Sequence, residues 1–175
     1  MWNDYLSPIL TVGMRETRIH LEMIAPDELR PASEPCGSFV IARQERPNPP
    51  LSQGLYNMVG EAWQWIDRRT WTLDQWLDYL SRPEIETWVM WSENEPAGYF
   101  ELEDERDGGV NLAYFGLMPS FLGRGLGGHL LTLAVRRAWA KGANRVWVHT
   151  CSRDHPHALA NYQARGFRVF KVEEL

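Results

Sequence analysis

The segment that decides the fold runs from Phe115 to Gly128 and reads Phe-Gly-Leu-Met-Pro-Ser-Phe-Leu-Gly-Arg-Gly-Leu-Gly-Gly. It follows an alternating apolar run at 110–117, which Pro119 ends, and it opens an amphipathic helix predicted over 127–141. Glycines between a strand and a helix let the backbone approach a ligand and adopt positive φ angles. The start of the helix adds free N–H groups and the positive end of the helix dipole. The segment therefore predicts an anion-binding loop, most naturally for phosphate.

The rest of the chain predicts a mixed α/β domain around one central sheet. Alternating apolar residues predict strands at 18–24, 86–91, 97–103, 145–150 and 167–172. Helical spacing predicts helices at 51–66, from the capping residue Thr72 to Pro83, and at 156–165. Residues 27–50 are predicted to be a loop with at most one short strand near 39–41.

Composition narrows the class of protein. The chain has 175 residues, of which 44% are hydrophobic, and this suits one compact domain over 1–175. No apolar run reaches the roughly 18 residues of a membrane span, and residues 1–14 do not read as a signal peptide. A net charge of −5 disfavours general nucleic-acid binding, and two cysteines are too few for a disulfide framework. We therefore expect a cytoplasmic protein with no membrane or nucleic-acid partner.

Two other phosphate-binding motifs are similar to the glycine loop, but the residues around the loop do not fit either of them. Gly123, Gly125 and Gly128 match the dinucleotide pattern G-x-G-x-x-G. That loop normally follows the first strand directly, whereas here a Pro-Ser-Phe step intervenes and too little chain follows for a doubly wound sheet. The strand at 145–150 also ends without the acidic residue that binds a ribose. A nucleoside-triphosphate P-loop is excluded because no Lys-Ser or Lys-Thr follows the glycines.

A second motif, Ala-Asn-Tyr-Gln-Ala-Arg-Gly-Phe at 160–167, follows the glycine loop with room between them for one helix and one strand. The first motif has a strand ending in an apolar-x-Pro step, followed by a loop that is similar to Gln/Arg-x-x-Gly-x-Gly/Ala. The second has an Asn-Tyr helix, then Gly-Phe and a last strand. In this order the two motifs resemble the GNAT superfamily of N-acetyltransferases, with Gly125 and Gly127 in the two loop glycine positions. The resemblance covers residues 85–175 well, and the residues before them are compatible with it.

The resemblance implies a GNAT-like fold, with a mixed, mostly antiparallel sheet flanked by helices on both faces. It implies direct transfer of an acetyl group from acetyl-CoA, the co-substrate, to a primary amine in a ternary complex. Residues 1–84 would hold the first strand and the acceptor-binding helices, and residues 85–175 the cofactor-binding and catalytic core. The residues that the resemblance implies for acetyl-CoA binding are Phe115, Gly116, Leu117, Leu122, Gly123, Arg124, Gly125, Leu126, Gly127, Gly128 and Asn161.

One loop position departs from the family pattern, because Leu122 stands where the family has Gln or Arg. In the family the backbone N–H groups of this loop hold most of the pyrophosphate, and Leu122 can still supply its own. We therefore keep the acetyl-CoA prediction and expect one lost side-chain contact. Arg124 either compensates for that contact or is a solvated surface side chain.

Acyl transfer to an amine needs a polarised thioester carbonyl, a neutral amine and an acid for the leaving thiolate. The resemblance implies that the backbone N–H of Leu117 polarises the carbonyl and that Tyr162 protonates the thiolate. Several members use a Glu as the base, but the matching residue here is Asn111, and an amide is not a base. Glu101 is the first candidate because it lies deep in its strand, where burial would raise its pKa. Glu103 on the same strand face and a water relay stay open.

Three further features bear on the site. The residues His149, Cys151, His155 and His157 match no common zinc spacing, so no metal site is predicted. The turn at 154–156 is predicted to cap the helix that follows it. The Trp-rich stretch at 63–76 either fills the core or lines an acceptor pocket.

Two functions of different classes stay open. The first is an N-acetyltransferase that acts on a small-molecule or peptide amine which the sequence does not identify. The second is a non-catalytic acyl-CoA-binding or sensor domain, which Asn111 favours and Tyr162 disfavours. The sequence also leaves the oligomeric state open, a homodimer included.

Overall fold

The computed structural model describes residues 16–175, which form seven strands and four α-helices. The strands are β1 (Thr17–Met23), β2 (Val40–Arg43), β3 (Ile85–Ser92), β4 (Glu95–Asp104), β5 (Gly109–Leu117), β6 (Arg145–Cys151) and β7 (Arg168–Glu174). The helices are α1 (Pro49–Gly60), α2 (Leu73–Leu80), α3 (Leu126–Ala140) and α4 (Ala158–Ala164). In this part of the chain no helix is both long and apolar enough to cross a membrane. The elements follow one another in the order that the sequence predicts.

All seven strands belong to one sheet with the order β2-β3-β4-β5-β6-β1-β7. Neighbouring strands are antiparallel except for β5 and β6, which pair in parallel over a short stretch. Strand β1 pairs with both β6 and β7, so the first strand becomes an inner strand of the sheet. The predicted mixed, mostly antiparallel sheet is confirmed.

Two glycines show which helix covers which face of the sheet. A side chain at Gly98 would meet Leu130 of α3, whereas a side chain at Gly116 would meet Val59 of α1. Gly98 pairs with Leu117, the neighbour of Gly116, so the two glycines face opposite sides of the pleated sheet. Helices α1 and α3 therefore pack on opposite faces, and the predicted arrangement of helices on both faces is confirmed.

Helix α1 ends at Gly60, not at residue 66 as its apolar spacing predicts. The side chain of Trp65 folds back over Gly60, and the N–H groups of Trp63 and Trp65 both donate to the Gly60 carbonyl. Gln64 follows with a φ of 56°, a left-handed conformation that ends a helix. We call residues 61–72 the α1–α2 linker. Its last residue, Thr72, caps α2 through its hydroxyl, as predicted.

Candidate active site

Strands β5 and β6 pair only where they begin and then diverge. The parallel ladder joins residues 109–111 of β5 to residues 145–147 of β6 and stops there. A bulge in β5 follows, because Ala113 has no partner in β4 between the paired residues Leu112 and Tyr114. Beyond this fork the two strands border a cavity of about 740 Å³. A volume of this size is typical of a small-molecule or cofactor site.

The fork leaves backbone groups of β5 facing the cavity instead of another strand. The N–H of Met118 donates to the carbonyl of Ala97 in β4 at 2.9 Å. Successive residues of a strand direct their N–H groups to opposite edges, so those of Phe115 and Leu117 point away from β4 and into the gap. Both residues line the cavity. An extended ligand arm can therefore pair with them as an added strand would.

The glycine loop forms an open cradle at one end of the cavity. Gly123 and Gly125 both have a φ of 74°, the left-handed region that favours glycine, and a side chain at either would meet no atom within 4 Å. Gly125 is the N-cap of α3 and provides no side-chain cap, so the first-turn N–H groups of this 15-residue helix are free for a ligand. The cradle therefore offers free N–H groups to an anionic group.

Two arginines, Arg124 and Arg165, lie near this cradle. The Arg124 guanidinium lies 4.8 Å from the ring centroid of Phe121, and Arg124 does not line the cavity. Arg165, at the end of α4, instead lies against Gly128 in the first turn of α3. Within residues 16–175 its buried Nε has no hydrogen-bond partner. Arg165 belongs to the second sequence motif, but its approach to Gly128 depends on how α4 packs beside α3.

Most of the predicted acetyl-CoA-binding residues border the cavity together. Those that line it are Phe115, Gly116, Leu117, Leu122, Gly123, Gly125, Leu126, Gly127 and Asn161. Arg124 and Gly128 are outside this lining. Asn161 of α4 faces the helix start, since a side chain at Gly127 would come within 3.6 Å of the Asn161 Nδ2 atom.

Tyr162 of α4 lines the same cavity. Its buried ring packs between Phe115 and Phe167, with centroid distances of 6.1 and 5.9 Å. Burial, and then the nearby Asp154 carboxylate, raises the pKa of the Tyr162 hydroxyl above its ordinary value. The phenol is therefore protonated at neutral pH and can act as a proton donor.

The predicted base, Glu101, lies behind the cavity and does not line it. Its carboxylate is buried, and it accepts hydrogen bonds from Arg68 Nη1 at 3.0 Å and from the Tyr79 hydroxyl at 2.5 Å. Burial raises the pKa of the Glu101 carboxyl, and the charge of Arg68 offsets only part of that rise. Glu103 is also outside the cavity lining, where it pairs with Arg82 at 2.7 Å.

The guanidinium of Arg68 is enclosed by aromatic rings as well as by Glu101. Its central carbon lies 3.9 Å from the ring centroid of Tyr79, 4.3 Å from Tyr114, 4.8 Å from Trp71 and 5.4 Å from Trp76. We call Arg68, Glu101 and these four rings the Arg68 clamp. It fixes the α1–α2 linker to β4. The Trp-rich stretch is divided between two places, because Trp71 and Trp76 belong to the clamp while Trp63 and Trp65 line the cavity.

The cavity has a second, more polar wall where the α1–α2 linker faces β6. We call the face of the sheet that carries Glu101 and this linker the acceptor face. The ring of Trp63 stands edge-on to His155 at a centroid distance of 4.8 Å. The Tyr114 hydroxyl donates to the Asp67 carboxylate at 3.4 Å. The other ionisable side chains that line the cavity are Glu16, Arg18, His149, Cys151, Arg153, Asp154 and His157.

The turn at 154–156 does not cap α4, contrary to the prediction. The Asp154 carboxylate accepts hydrogen bonds from the Thr150 hydroxyl at 2.7 Å and from the Cys151 N–H at 3.0 Å. It therefore binds the end of β6. The N-cap of α4 is His157, whose side chain makes no capping hydrogen bond.

A sheet forked between two parallel strands, with a glycine cradle at the start of the following helix, defines an acetyltransferase fold. The chain belongs to the acetyltransferase (GNAT) family, whose model matches residues 52–167. The predicted family is thereby confirmed. None of the curated proteins matches the chain significantly.

Solved structures share this fold. A GCN5-related N-acetyltransferase from Sphaerobacter thermophilus matches at 18% identity and a TM-score of 0.65, over 90% of this chain and 50% of that chain. An acetyltransferase from Bacillus subtilis in complex with CoA matches at 25% identity and 0.59, over 77% and 79%. An aminoglycoside acetyltransferase from an uncultured soil metagenomic sample matches at 16% identity and 0.61, over 73% and 86%. The chain spans only 50–59% of the length of several such structures.

Proposed function

We propose that this chain transfers an acetyl group from acetyl-CoA directly to a primary amine while both substrates are bound. The forked sheet is the observation that carries this proposal. At one end of its cavity the glycine cradle meets the uncapped start of α3. Along one side two backbone N–H groups of β5 face inward, and Tyr162 lies between Phe115 and Phe167 at the same cavity.

Each residue has one task in this reaction. Bound acetyl-CoA supplies the activated thioester. The N–H of Leu117 polarises the thioester carbonyl, and the N–H of Phe115, which lies nearer the fork, pairs with the extended CoA arm. The Asn161 amide binds the CoA arm, and Tyr162 gives its proton to the sulfur of the leaving group. The α1–α2 linker forms the wall that the amine contacts.

Two measurements test the proposed function. Calorimetry is expected to show binding of acetyl-CoA and no binding of NAD. Thiol release from acetyl-CoA is then followed with a panel of primary amines: alkylamines, amino acids, an aminoglycoside and a peptide with a free N-terminus. Amine-dependent thiol release is expected with at least one of them. Binding without turnover across the panel would favour the acyl-CoA-binding domain that Asn111 suggests.

The anion cradle predicts a charge-specific effect at Gly125. Asp and Asn are similar in size and both tolerate the left-handed backbone of this residue. We expect Gly125→Asp to bind acetyl-CoA about tenfold more weakly than Gly125→Asn, because only the carboxylate repels the pyrophosphate. Calorimetry at low and high salt measures both variants, and the difference should shrink with salt. Equal affinities of the two variants would argue against a phosphate at this position.

We expect a substitution in the cavity wall formed by the α1–α2 linker to weaken binding of the amine without changing binding of acetyl-CoA. Replacing Trp63 by Ala is expected to raise the KM of the amine about tenfold, since about 1.5 kcal/mol of apolar contact is lost. The affinity for acetyl-CoA should not change. Trp91→Ala is the matched control, because Trp91 lies on β3 and does not line the cavity. The assignment fails if both variants change the amine KM equally.

A further inference from the structure

Transfer to an alkylamine requires a group that removes a proton from the bound ammonium. Glu101, Glu103 and Asn111 are all outside the cavity lining. Among the carboxylates that line it, Glu16 pairs with Arg153 at 2.9 Å, and Asp154 binds the end of β6. Asp67 and three histidines remain. Imidazole is the side chain whose ordinary pKa lies nearest neutrality, so the histidines come first.

His149 is the first residue of β6 beyond the fork that lies on the acceptor face. Trp147 pairs with Asn111, and Asn111 pairs with Glu103, so Trp147 shares a face with Glu103. His149 comes two residues later and lies on the same face, about 7 Å along the strand from the last rung of the ladder. Its exposed side chain lines the cavity.

The two other histidines lie farther from the fork. His155 and His157 come after the end of β6 at Cys151. His155 is engaged on two sides, since its Nδ1 accepts from the His157 N–H at 3.1 Å and its ring meets Trp63. Both histidines therefore come later along the chain than His149, which lies on β6 itself.

The surroundings of His149 favour the neutral imidazole. Its ring centroid lies 5.8 Å from that of His20 on β1 and 6.3 Å from that of Trp147. Enclosure by protein, and then the positive charge of Arg18 and of His20, lowers the pKa of His149 below its ordinary value. Asp154 and Asp67 act in the opposite direction and offset only part of this effect. A neutral imidazole is thus the dominant form at neutral pH.

We propose that His149 is the general base that deprotonates the acceptor amine, an assignment that rests on the proposed acetyl transfer. The imidazole takes one proton from the ammonium group and releases it to water through the open cavity. The freed nitrogen lone pair forms the N–C bond to the acetyl carbon, and the C–S bond breaks. Tyr162 gives its proton to the sulfur and regains one from the nitrogen, so that one proton in total leaves for solvent.

The test compares two nucleophiles in His149→Gln. The first is the best primary alkylamine of the panel, which is protonated at pH 7, and the second is the matching O-alkylhydroxylamine, which is not. We expect kcat to fall about 100-fold with the alkylamine and to change little with the O-alkylhydroxylamine. With the alkylamine, kcat of the wild-type protein should level off near neutral pH. The kcat of His149→Gln should keep rising as the pH rises.

Two readouts that do not depend on turnover accompany the kinetics. NMR titration of the imidazole signal that disappears in His149→Gln should give a pKa below the ordinary histidine value. Calorimetry should give the same affinity for acetyl-CoA in both proteins. His129→Gln, on α3 and outside the cavity lining, is the matched control and should leave kcat unchanged.

Three outcomes would overturn the assignment. One is an unchanged kcat and pH profile in His149→Gln, and another is an equal loss with both nucleophiles. The third is that Asp67→Asn, and not His149→Gln, lowers kcat with the alkylamine while changing kcat with the O-alkylhydroxylamine little. That result would make Asp67 the base. If the unchanged protein acetylates no amine of the panel, the proposed function itself has failed, and the NMR and calorimetric results show whether the site is otherwise intact.

Discussion

Replacing Arg68 by Met is expected to lower the free energy of unfolding by about 3–5 kcal/mol. The Arg68 and Glu101 side chains are only 8% and 2% exposed, and the variant leaves the Glu101 carboxylate buried without its counter-charge. Methionine keeps part of the apolar contact with the surrounding rings, so most of the loss is electrostatic. Urea unfolding at pH 7 measures the loss. A change below about 1 kcal/mol would contradict the buried ion pair.

The pH dependence of this loss follows from the pKa of Glu101. Burial already raises that pKa, and removing Arg68 raises it further. A carboxyl with a raised pKa contributes its full stability only below the pKa of the unfolded chain, and the contribution is lost as the pH rises through the folded-state pKa. The deficit of Arg68→Met should therefore grow as the pH rises through the folded-state pKa of Glu101, which lies above the ordinary carboxyl value.

Two further variants serve as controls for Arg68→Met. In the double variant Arg68→Met, Glu101→Gln, no unpaired charge is buried, so part of the stability should return. Arg82→Met breaks the pair with Glu103, in which Arg82 is 43% exposed, and should cost no more than about 1 kcal/mol. Similar losses in Arg68→Met and Arg82→Met would mean that burial does not govern these pairs.

Replacing Tyr162 by Phe is expected to lower kcat by about one to three orders of magnitude. The change removes the hydroxyl that gives a proton to the sulfur and keeps the ring that packs against Phe115 and Phe167. Because the pKa of Tyr162 is raised, the hydroxyl of the unchanged protein should stay protonated above neutral pH. Thiol release at saturating acetyl-CoA and amine measures kcat.

Tyr99→Phe is the matched control for this change, because Tyr99 is equally buried but does not line the cavity. It should leave kcat as it is, and acetyl-CoA affinity by calorimetry should be unaffected in Tyr162→Phe. An unchanged kcat in Tyr162→Phe would refute the acid assignment. A loss of acetyl-CoA affinity together with an unchanged kcat would make Tyr162 a binding residue.

Local signals in the sequence were enough to predict the element order. The end of β5 at Pro119, the glycines before α3 and the Thr72 cap each act over a few residues, and each is found in the structure. The end of α1 is the main exception. It depends on Trp65 folding over Gly60, a contact that helical periodicity does not contain.

Residues of the candidate site could be predicted from the sequence where they lie together in one continuous segment. The β5 end, the glycine loop and the Asn-Tyr pair are continuous stretches, and ten of the residues predicted from them line the cavity. The charged partners were not predictable. Arg68 lies 33 residues from Glu101, and no local pattern in the sequence indicates the buried pair that they form.

The sequence by itself therefore determined the glycine cradle and the positions of the strands, because turn chemistry and the strand and helix periods are local. Its two linked motifs carried the resemblance to the family. Only the tertiary structure decided which side chains face the cavity. Strands β5 and β6 separate after three paired residues, and β1 inserts between β6 and β7. These two features of the sheet place His149 at the fork beside Arg18 and His20, while Glu101 remains behind the Arg68 clamp.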